Sequence, residues 1–258
     1  MEGPSFHSYP QVIKIMKTKL IHEIRAVKSK KELTNIIKAQ RISERVLSGI
    51  LKKLKIGITE IEVSNLIKKF FIKYNAPILS FSPIVAFGKN TANIHHLEAT
   101  KTKLKKGDII MFDFGCTVNH YCSDMTRTYF LGEPNKKQRK IYESVLKAQN
   151  IALEKIKNGE RRAKIIDKSA REFLNKKFGA KNFSHGLGHG VGTVIHEWPN
   201  FKLKSEDIIP TGCVMTVEPG IYLKGFGGVR IEDMILITKN GYLNLTKIPK
   251  DLNSVILK

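Results

Sequence analysis

The stretch that most restricts what this chain can fold into is Gly107-Asp-Ile-Ile-Met-Phe-Asp-Phe-Gly115. Ile109, Ile110, Met111, Phe112 and Phe114 read as a buried strand, yet Asp113 stands among them. A carboxylate in such surroundings is costly unless it is paired, hydrogen-bonded or bound to a metal. A second run, Tyr121 to Phe130, reads as the returning strand of a hairpin and carries Asp124 near its start. Two strands of a hairpin can aim both carboxylates at one point. Taken alone, the two acids fit equally well an ion-pair network built on arginines such as Arg127.

The second half of the sequence favours a metal. Histidines alternate with glycines in His185-Gly-Leu-Gly-His189-Gly-Val-Gly, and the run ends at His196-Glu-Trp-Pro. Glycines at 186, 188, 190 and 192 argue against a helix, which excludes the zinc-protease pattern of two histidines on one helical face. Val217-Glu218-Pro-Gly-Ile-Tyr222 and Gly228-Val-Arg230-Ile-Glu232-Asp233 each set a glutamate in apolar, strand-like sequence. Strands from Val214 to Val217 and from Val229 to Thr238 would bring Glu218 alongside Glu232. Four carboxylates and one imidazole are enough to hold two divalent ions, and they suit Mn, Co, Fe or Zn better than a thiolate-loving ion.

The remaining composition narrows the class. The chain has 258 residues, 41% of them apolar, so it can bury a substantial core in one large domain or two small ones. No apolar run reaches the length of a membrane span, and Met1 to Pro10 lacks a signal-peptide pattern, so a cytoplasmic protein without membrane association is expected. Cys116, Cys122 and Cys213 are an odd number, which fits reduced thiols. The grouping of Cys116, His120 and Cys122 lacks zinc-knuckle spacing. The net charge of +22 is mostly lysine spread over the helical segments. A solvated basic surface accounts for it, with weak nonspecific association to polyanions or the ribosome as the alternative.

Along the chain, residues 1–33 form a basic lead-in whose apolar positions (Val12, Ile13, Ile15, Met16, Leu20, Ile21, Ile24) suggest a helix or a docked arm. The main domain spans 34–258. Helical spacing runs from Thr34 to Leu54, and a capping box at Thr59 and Glu62 opens a second helix to about Tyr74. A short strand at Phe81 to Gly88 precedes a loop carrying His95 and His96. After Gly132-Glu-Pro134 the order repeats, with helices from Asn135 to about Lys157 and from about Arg161 to Phe178, then strands. This α+β order suggests two related halves facing one site.

Asp113, Asp124, His189, Glu218 and Glu232, in that order and in those contexts, resemble the five metal ligands of the pita-bread metallopeptidases. That group comprises methionine aminopeptidases, Xaa-Pro aminopeptidases and Xaa-Pro dipeptidases. The match covers roughly residues 34 to 250. Ser123-Asp-Met-Thr-Arg-Thr128, Glu218-Pro-Gly-Ile-Tyr222 and Gly228-Val-Arg-Ile-Glu-Asp233 look like the Xaa-Pro branch. Members of that branch usually carry a further N-terminal domain, where this sequence has only its lead-in.

The resemblance implies a pita-bread fold, two pseudo-symmetric helix-helix-strand halves with a curved antiparallel sheet around a dinuclear metal site. It also implies hydrolysis of the bond preceding proline in dipeptides or short peptides. Methionine removal from nascent chains, or a non-catalytic binding protein of this fold, are the alternatives. Two carboxylate-bridged divalent ions would acidify a shared water and polarise the scissile carbonyl. Asp113 would be bidentate on one ion, Asp124 and Glu232 would bridge, His189 would bind the second, and Glu218 would also shuttle a proton. His196 would donate to the oxyanion, and His185 would line the pocket for the residue after the cleaved bond. The substrate-binding histidine is His95 counted from Asn90 and Ala92, or His96 counted back from Gly107, with His95 preferred. Arg230 would orient Glu232, bind a substrate carboxylate, or form a plain ion pair. Tyr222 reads as a packed aromatic and Trp198 as a wall or lid. A peptide is the implied partner, and a homodimer is left open.

Overall fold

Ser29 and Glu32 decide where the first long helix starts. Their side chains and backbones satisfy each other in a capping box, so α1 (Lys30–Leu51) begins four residues before the expected Thr34. The computed structural model describes residues 20–258, and the positions Val12 to Met16 of the lead-in lie outside the described residues. Backbone at 20–26 is helical, with Leu20, Ile21 and Ile24 exposed. The chain then docks through a bridge between Val27 and Cys213 and a bond from the Lys28 N–H to the Gly212 carbonyl. Thr59 and Glu62 cap α2 (Glu60–Lys73), as their spacing indicates.

The strands of the first half are β1 (Ile84–Phe87), β2 (Ile109–Asp113), β3 (Thr117–Val118), β4 (Tyr121–Cys122) and β5 (Thr126–Leu131). β1, β2 and β5 are antiparallel neighbours, and β13 (Ile256–Leu257) joins β5 in parallel. The expected continuous strand from Tyr121 to Phe130 is in fact broken. The Ser123 N–H donates to the Cys116 carbonyl, and the Ser123 hydroxyl accepts from the Cys116 N–H. These bonds divert the chain into the small β3/β4 hairpin, so Asp124 enters from a loop.

Asn135 and Gln138 cap α3 (Lys136–Lys157), and α4 (Ala163–Phe178) follows. The strands β6 (Gly188–Gly190), β7 (Glu197–Phe201), β8 (Val214–Val217), β11 (Asp233–Thr238) and β12 (Gly241–Asn244) form a sheet ordered β12-β11-β8-β6-β7. β9 (Gly220–Leu223) and β10 (Gly227–Arg230) make a separate ribbon. The strand expected from Val229 to Thr238 is thus two strands with a break at Ile231 and Glu232. At the break the chain is gripped by β5: the Glu232 N–H donates to the Thr126 carbonyl, and the Thr128 hydroxyl donates to the Arg230 carbonyl.

The repeat in element order is present in three dimensions. β1, β2 and β5 follow one helix pair, and β6, β8 and β11 follow the other, with each middle strand antiparallel to its two neighbours. Asp113 closes one middle strand and Glu218 follows the other. Asp124 precedes β5, and Glu232 precedes β11. Side chains from all four helices and both larger sheets share one apolar core, which holds the two halves against each other. Arg127, the candidate partner of Asp113 and Asp124 in the ion-pair alternative, points the other way and pairs with Asp233 at 2.7 Å. Successive β5 residues face opposite sides, so Thr126 and Thr128 face the site and Arg127 cannot.

Candidate metal centre and its cavity

Asp113 lies opposite Thr126 across β2 and β5. Its Oδ2 accepts from Arg230 at 2.7 Å, while its Oδ1 is buried with no hydrogen-bond partner among the described residues. His189 occupies the middle of β6, between Gly188 and Gly190. A Cβ at Gly188 would lie 2.1 Å from the Thr216 carbonyl oxygen and one at Gly190 2.7 Å from that of Trp198, which explains the glycine-histidine alternation. The Nδ1 of His189 faces the Gly190 carbonyl at 3.0 Å. A carbonyl can only accept, so Nδ1 carries a proton, and Nε2 is the nitrogen turned to the acids: in the metal-free protein its proton faces Glu218, and it would be the ligand nitrogen for a cation that displaces that proton. That Nε2 lies 3.3 Å from Glu218 Oε1 and 3.6 Å from Asp124 Oδ2. Ligand atoms of Asp124, His189 and Glu232 all fall within 4.8 Å of one another.

Hydroxyls set the acids. Thr126 donates to Glu232 at 2.7 Å, and Thr216 accepts from the His189 N–H and donates to Glu218 at 3.1 Å. Burial, then repulsion from Glu232, Asp113 and Glu218, pushes the Asp124 carboxyl well above the usual range. Glu232 is raised in the same way, by burial and then by Glu218 and Asp113. Burial also raises Asp113, against the pull of Arg230. Burial would raise Glu218 as well, but the hydrogen bond and charge of His189 overcome it and hold Glu218 at about 2. Two buried carboxylates, Asp124 and Glu232, and two half-buried ones, Asp113 and Glu218, thus face one guanidinium and one imidazole. The charge deficit and the orphaned Asp113 oxygen both fit a divalent cation.

The acids line a cavity of about 750 Å³ together with His95, His185, His189, His196 and Arg230. His96 does not belong to this set. Its ring bonds Glu60 at 2.9 Å, away from the cavity, so of the two adjacent histidines only His95 is available to a ligand. Glu60 is fully buried and also accepts from the Phe87 and Thr100 N–H groups, the Asn90 amide and the Thr100 hydroxyl, which pins the loop carrying His95. Burial alone would raise Glu60, and these bonds lower it. Its stabilising contribution is therefore present above the ordinary glutamate range near 4.5 and lost as pH falls through the lower folded value. Glu60→Gln is expected to cost about 2–3 kcal/mol in urea unfolding at pH 7 and to lose part of the acid dependence; an unchanged midpoint would rule this out.

Arg230 and Glu232 do not share a strand face, because the break in the chain separates them. Arg230 instead bonds Asp113, Tyr222 at 2.8 Å and Thr126 at 3.0 Å. Tyr222 is more than a packed aromatic, since its hydroxyl accepts from Arg230 and donates to His185 Nε2 at 2.9 Å. The His185 Nδ1 meets the Gly186 carbonyl at 2.7 Å, and burial lowers this histidine to about 4. His185 thus lines the cavity as a neutral ring with both nitrogens engaged. His196 packs 4.3 Å from the His189 ring, and burial, then the His189 charge, lowers it too. Trp198 packs on the core from β7 and does not line the cavity. The roles of Glu60, Tyr222, Thr126 and Thr216 were not read from the sequence. The two threonines lie two residues from Asp124 and Glu218, and strand alternation could have flagged Thr216.

A pita-bread fold with a buried carboxylate-histidine centre is the class that this geometry defines. The sequence profile of metallopeptidase family M24 matches residues 34–239, and the chain belongs to that family. Xaa-Pro dipeptidases of Pyrococcus furiosus and Pyrococcus horikoshii are 40% identical over 233 residues, covering 90% of this chain and 66% of theirs. The chain therefore spans just under two thirds of the length of these relatives. Among solved structures, the X-Pro aminopeptidase of Thermotoga maritima superposes with a TM-score of 0.85 at 35% identity, over 90% of this chain and 66% of that one. Family and cluster together indicate a divalent metal cofactor. Among the described residues no helix is long and apolar enough to cross a membrane.

Proposed function

We propose that this chain is a metallo-exopeptidase that cleaves the bond preceding proline at the N-terminus of dipeptides or short peptides. The observation that carries this reading is the convergence of Asp113, Asp124, His189, Glu218 and Glu232 on one cavity. It is supported by the likeness to enzymes named for Xaa-Pro substrates. The five residues would hold two divalent ions, drawn from Mn, Co, Fe or Zn. When bound, the ions supply an acidified water as nucleophile and polarise the scissile carbonyl.

The protein's own groups do the rest. Glu218, held ionised beside His189, accepts the proton that the attacking water releases and passes it to the leaving proline nitrogen. His196 donates to the oxygen on which charge develops, and His95 contacts the substrate from the loop that Glu60 pins. Arg230 orients Asp113 and favours its ionised form against the opposing effect of burial, a positioning role. A solvated basic surface accounts for the net charge of +22, with weak, salt-sensitive attraction for polyanions or the ribosome as the alternative.

The lead-in contributes to this arrangement. Glu197, next to His196, is buried and accepts from Lys28, Arg25 and the Val194 N–H. Lys28 is itself buried, and it ties the segment before α1 to the loop that presents His196. Lys28→Met is expected to lower kcat/KM about 10-fold by misplacing His196, with Lys28→Arg recovering most of it; wild-type kinetics in the methionine variant would show the tie to be dispensable.

The test of the proposed function is hydrolysis of Xaa-Pro dipeptides, Xaa-Pro-Xaa tripeptides and Met-Ala peptides by protein loaded in turn with Mn, Co, Fe and Zn. Cleavage before proline is expected. A preference for Met-Ala would assign methionine removal instead, and salt-sensitive RNA binding with no hydrolysis under any metal would assign a non-catalytic binding role.

A further inference from the structure

Gln149 sits on the inner face of α3, fully buried, and is not among the residues that line the cavity. Its amide nitrogen donates to two main-chain carbonyls, that of Val217 at 2.9 Å and that of Ile231 at 3.2 Å. These residues immediately precede Glu218 and Glu232, the two glutamates of the centre. The neighbours also fix which way the amide lies. Lys250 Nζ meets the other amide atom at 2.6 Å, and an ammonium can only donate, so that atom is the oxygen. The nitrogen is left facing two carbonyls, which can only accept.

The peptide groups that lead into the two glutamates are therefore held at both ends. In one, the Val217 carbonyl meets Gln149 while the Glu218 N–H donates to the Leu187 carbonyl. In the other, the Ile231 carbonyl meets Gln149 while the Glu232 N–H donates to the Thr126 carbonyl. A peptide unit is planar, so fixing its oxygen and its N–H fixes the direction in which the next Cα departs. Glu232 depends on this more, because it lies in the break between β10 and β11, outside a regular ladder. Arg127 adds a second hold, donating to the Glu232 carbonyl and pairing with Asp233, which Lys250 also engages. Gln149 is the member of this buried network that touches the backbone of both glutamates.

Resting on the exopeptidase reading, we propose that Gln149 is a positioning residue: tied to both backbones through one nitrogen, it sets the separation of Glu218 and Glu232 and so how tightly they hold cations. Groups that orient metal ligands from behind govern affinity and rate without touching the ion. A glutamine that only filled and satisfied the core would contribute stability alone.

The experiment is calorimetric binding of Mn to the wild type, Gln149→Met, Gln149→Glu and the control Gln138→Met. Gln138 is a second buried glutamine on α3, and its amide donates to the Gly107 carbonyl at 2.8 Å, which adjoins none of the five site residues. Gln149→Glu keeps the side-chain length and the Lys250 partner but, ionised beside that ammonium, has no N–H to donate, so it carries the test if Gln149→Met does not fold. Both Gln149 variants should bind Mn about 10- to 100-fold more weakly, and Gln138→Met as the wild type does. On Ala-Pro at saturating Mn, the loss in the Gln149 variants should fall on kcat with KM unchanged, because the amide lies outside the cavity. Wild-type Mn affinity in the Gln149 variants, a loss that Gln138→Met shares, or a change confined to KM overturns the assignment. A selective loss of affinity without hydrolysis of any proline peptide by the wild type fails the exopeptidase reading and leaves the positioning role standing. Hydrolysis by the wild type with unchanged Mn affinity in the Gln149 variants does the reverse.

Discussion

Asp124→Asn and Glu232→Gln are each expected to lower kcat/KM on Xaa-Pro substrates by about 10³-fold or more while stabilising the metal-free protein. The two effects have one cause. Asp124 and Glu232 are pushed well above the ordinary carboxylate range by burial and by each other's neighbours. An amide in place of either removes charge that the fold alone does not neutralise, and with it a donor that a cation needs. Steady-state kinetics and a thermal melt in chelator check both halves. Activity within ten-fold of wild type, or a lower melting temperature for both metal-free variants, would contradict this account of the acids.

Chelation is expected to abolish hydrolysis, and restored divalent ions to recover it. Stability should follow the same logic. Between the ordinary carboxylate pKa near 4 and the raised folded values, the native metal-free protein holds protons that the unfolded chain has released. Its stability therefore falls as pH rises through that window. A divalent ion at 100 times its dissociation constant adds about 2.7 kcal/mol, or roughly 5–10 °C in a domain of this size. Melting curves with and without metal at pH 5 and pH 7.5 read this directly. The metal-induced shift should be larger at pH 7.5, and equal shifts at both values would count against cation binding by these acids.

What the sequence disclosed is best seen at single residues. Asp113 was conspicuous because an acid inside an apolar strand demands an explanation, and the glycines around His189 argued against a helix there, though the close approach of Thr216 and Trp198 that requires them was not legible. The helix start at Asn135 was legible because Gly132-Glu-Pro134 breaks the chain just before it, and the one at Thr59 because capping is local chemistry. The same rule applied to Ser29 and Glu32 would have placed the start of α1. The breaks at Ser123 and at Ile231 were not legible, because they depend on bonds from Cys116 and from Thr126 and Thr128, residues on other segments of the chain. Those breaks let Asp124 and Glu232 leave their strands and reach the centre. Nor could counting along the chain choose between His95 and His96; the buried Glu60, far off in sequence, draws His96 away. Arg230 was noticed, but its partner Asp113 lies 117 residues away and is brought near only by the packing of the two halves.

The most direct test is the metal content of the purified chain after dialysis against excess Mn, Co, Fe or Zn, set beside that of Asp113→Asn, Asp124→Asn, His189→Ala, Glu218→Gln and Glu232→Gln. Two ions per wild-type chain, with loss of at least one in every variant, is the expected result. A wild type that retains no ion, or five variants that bind as the wild type does, would contradict it.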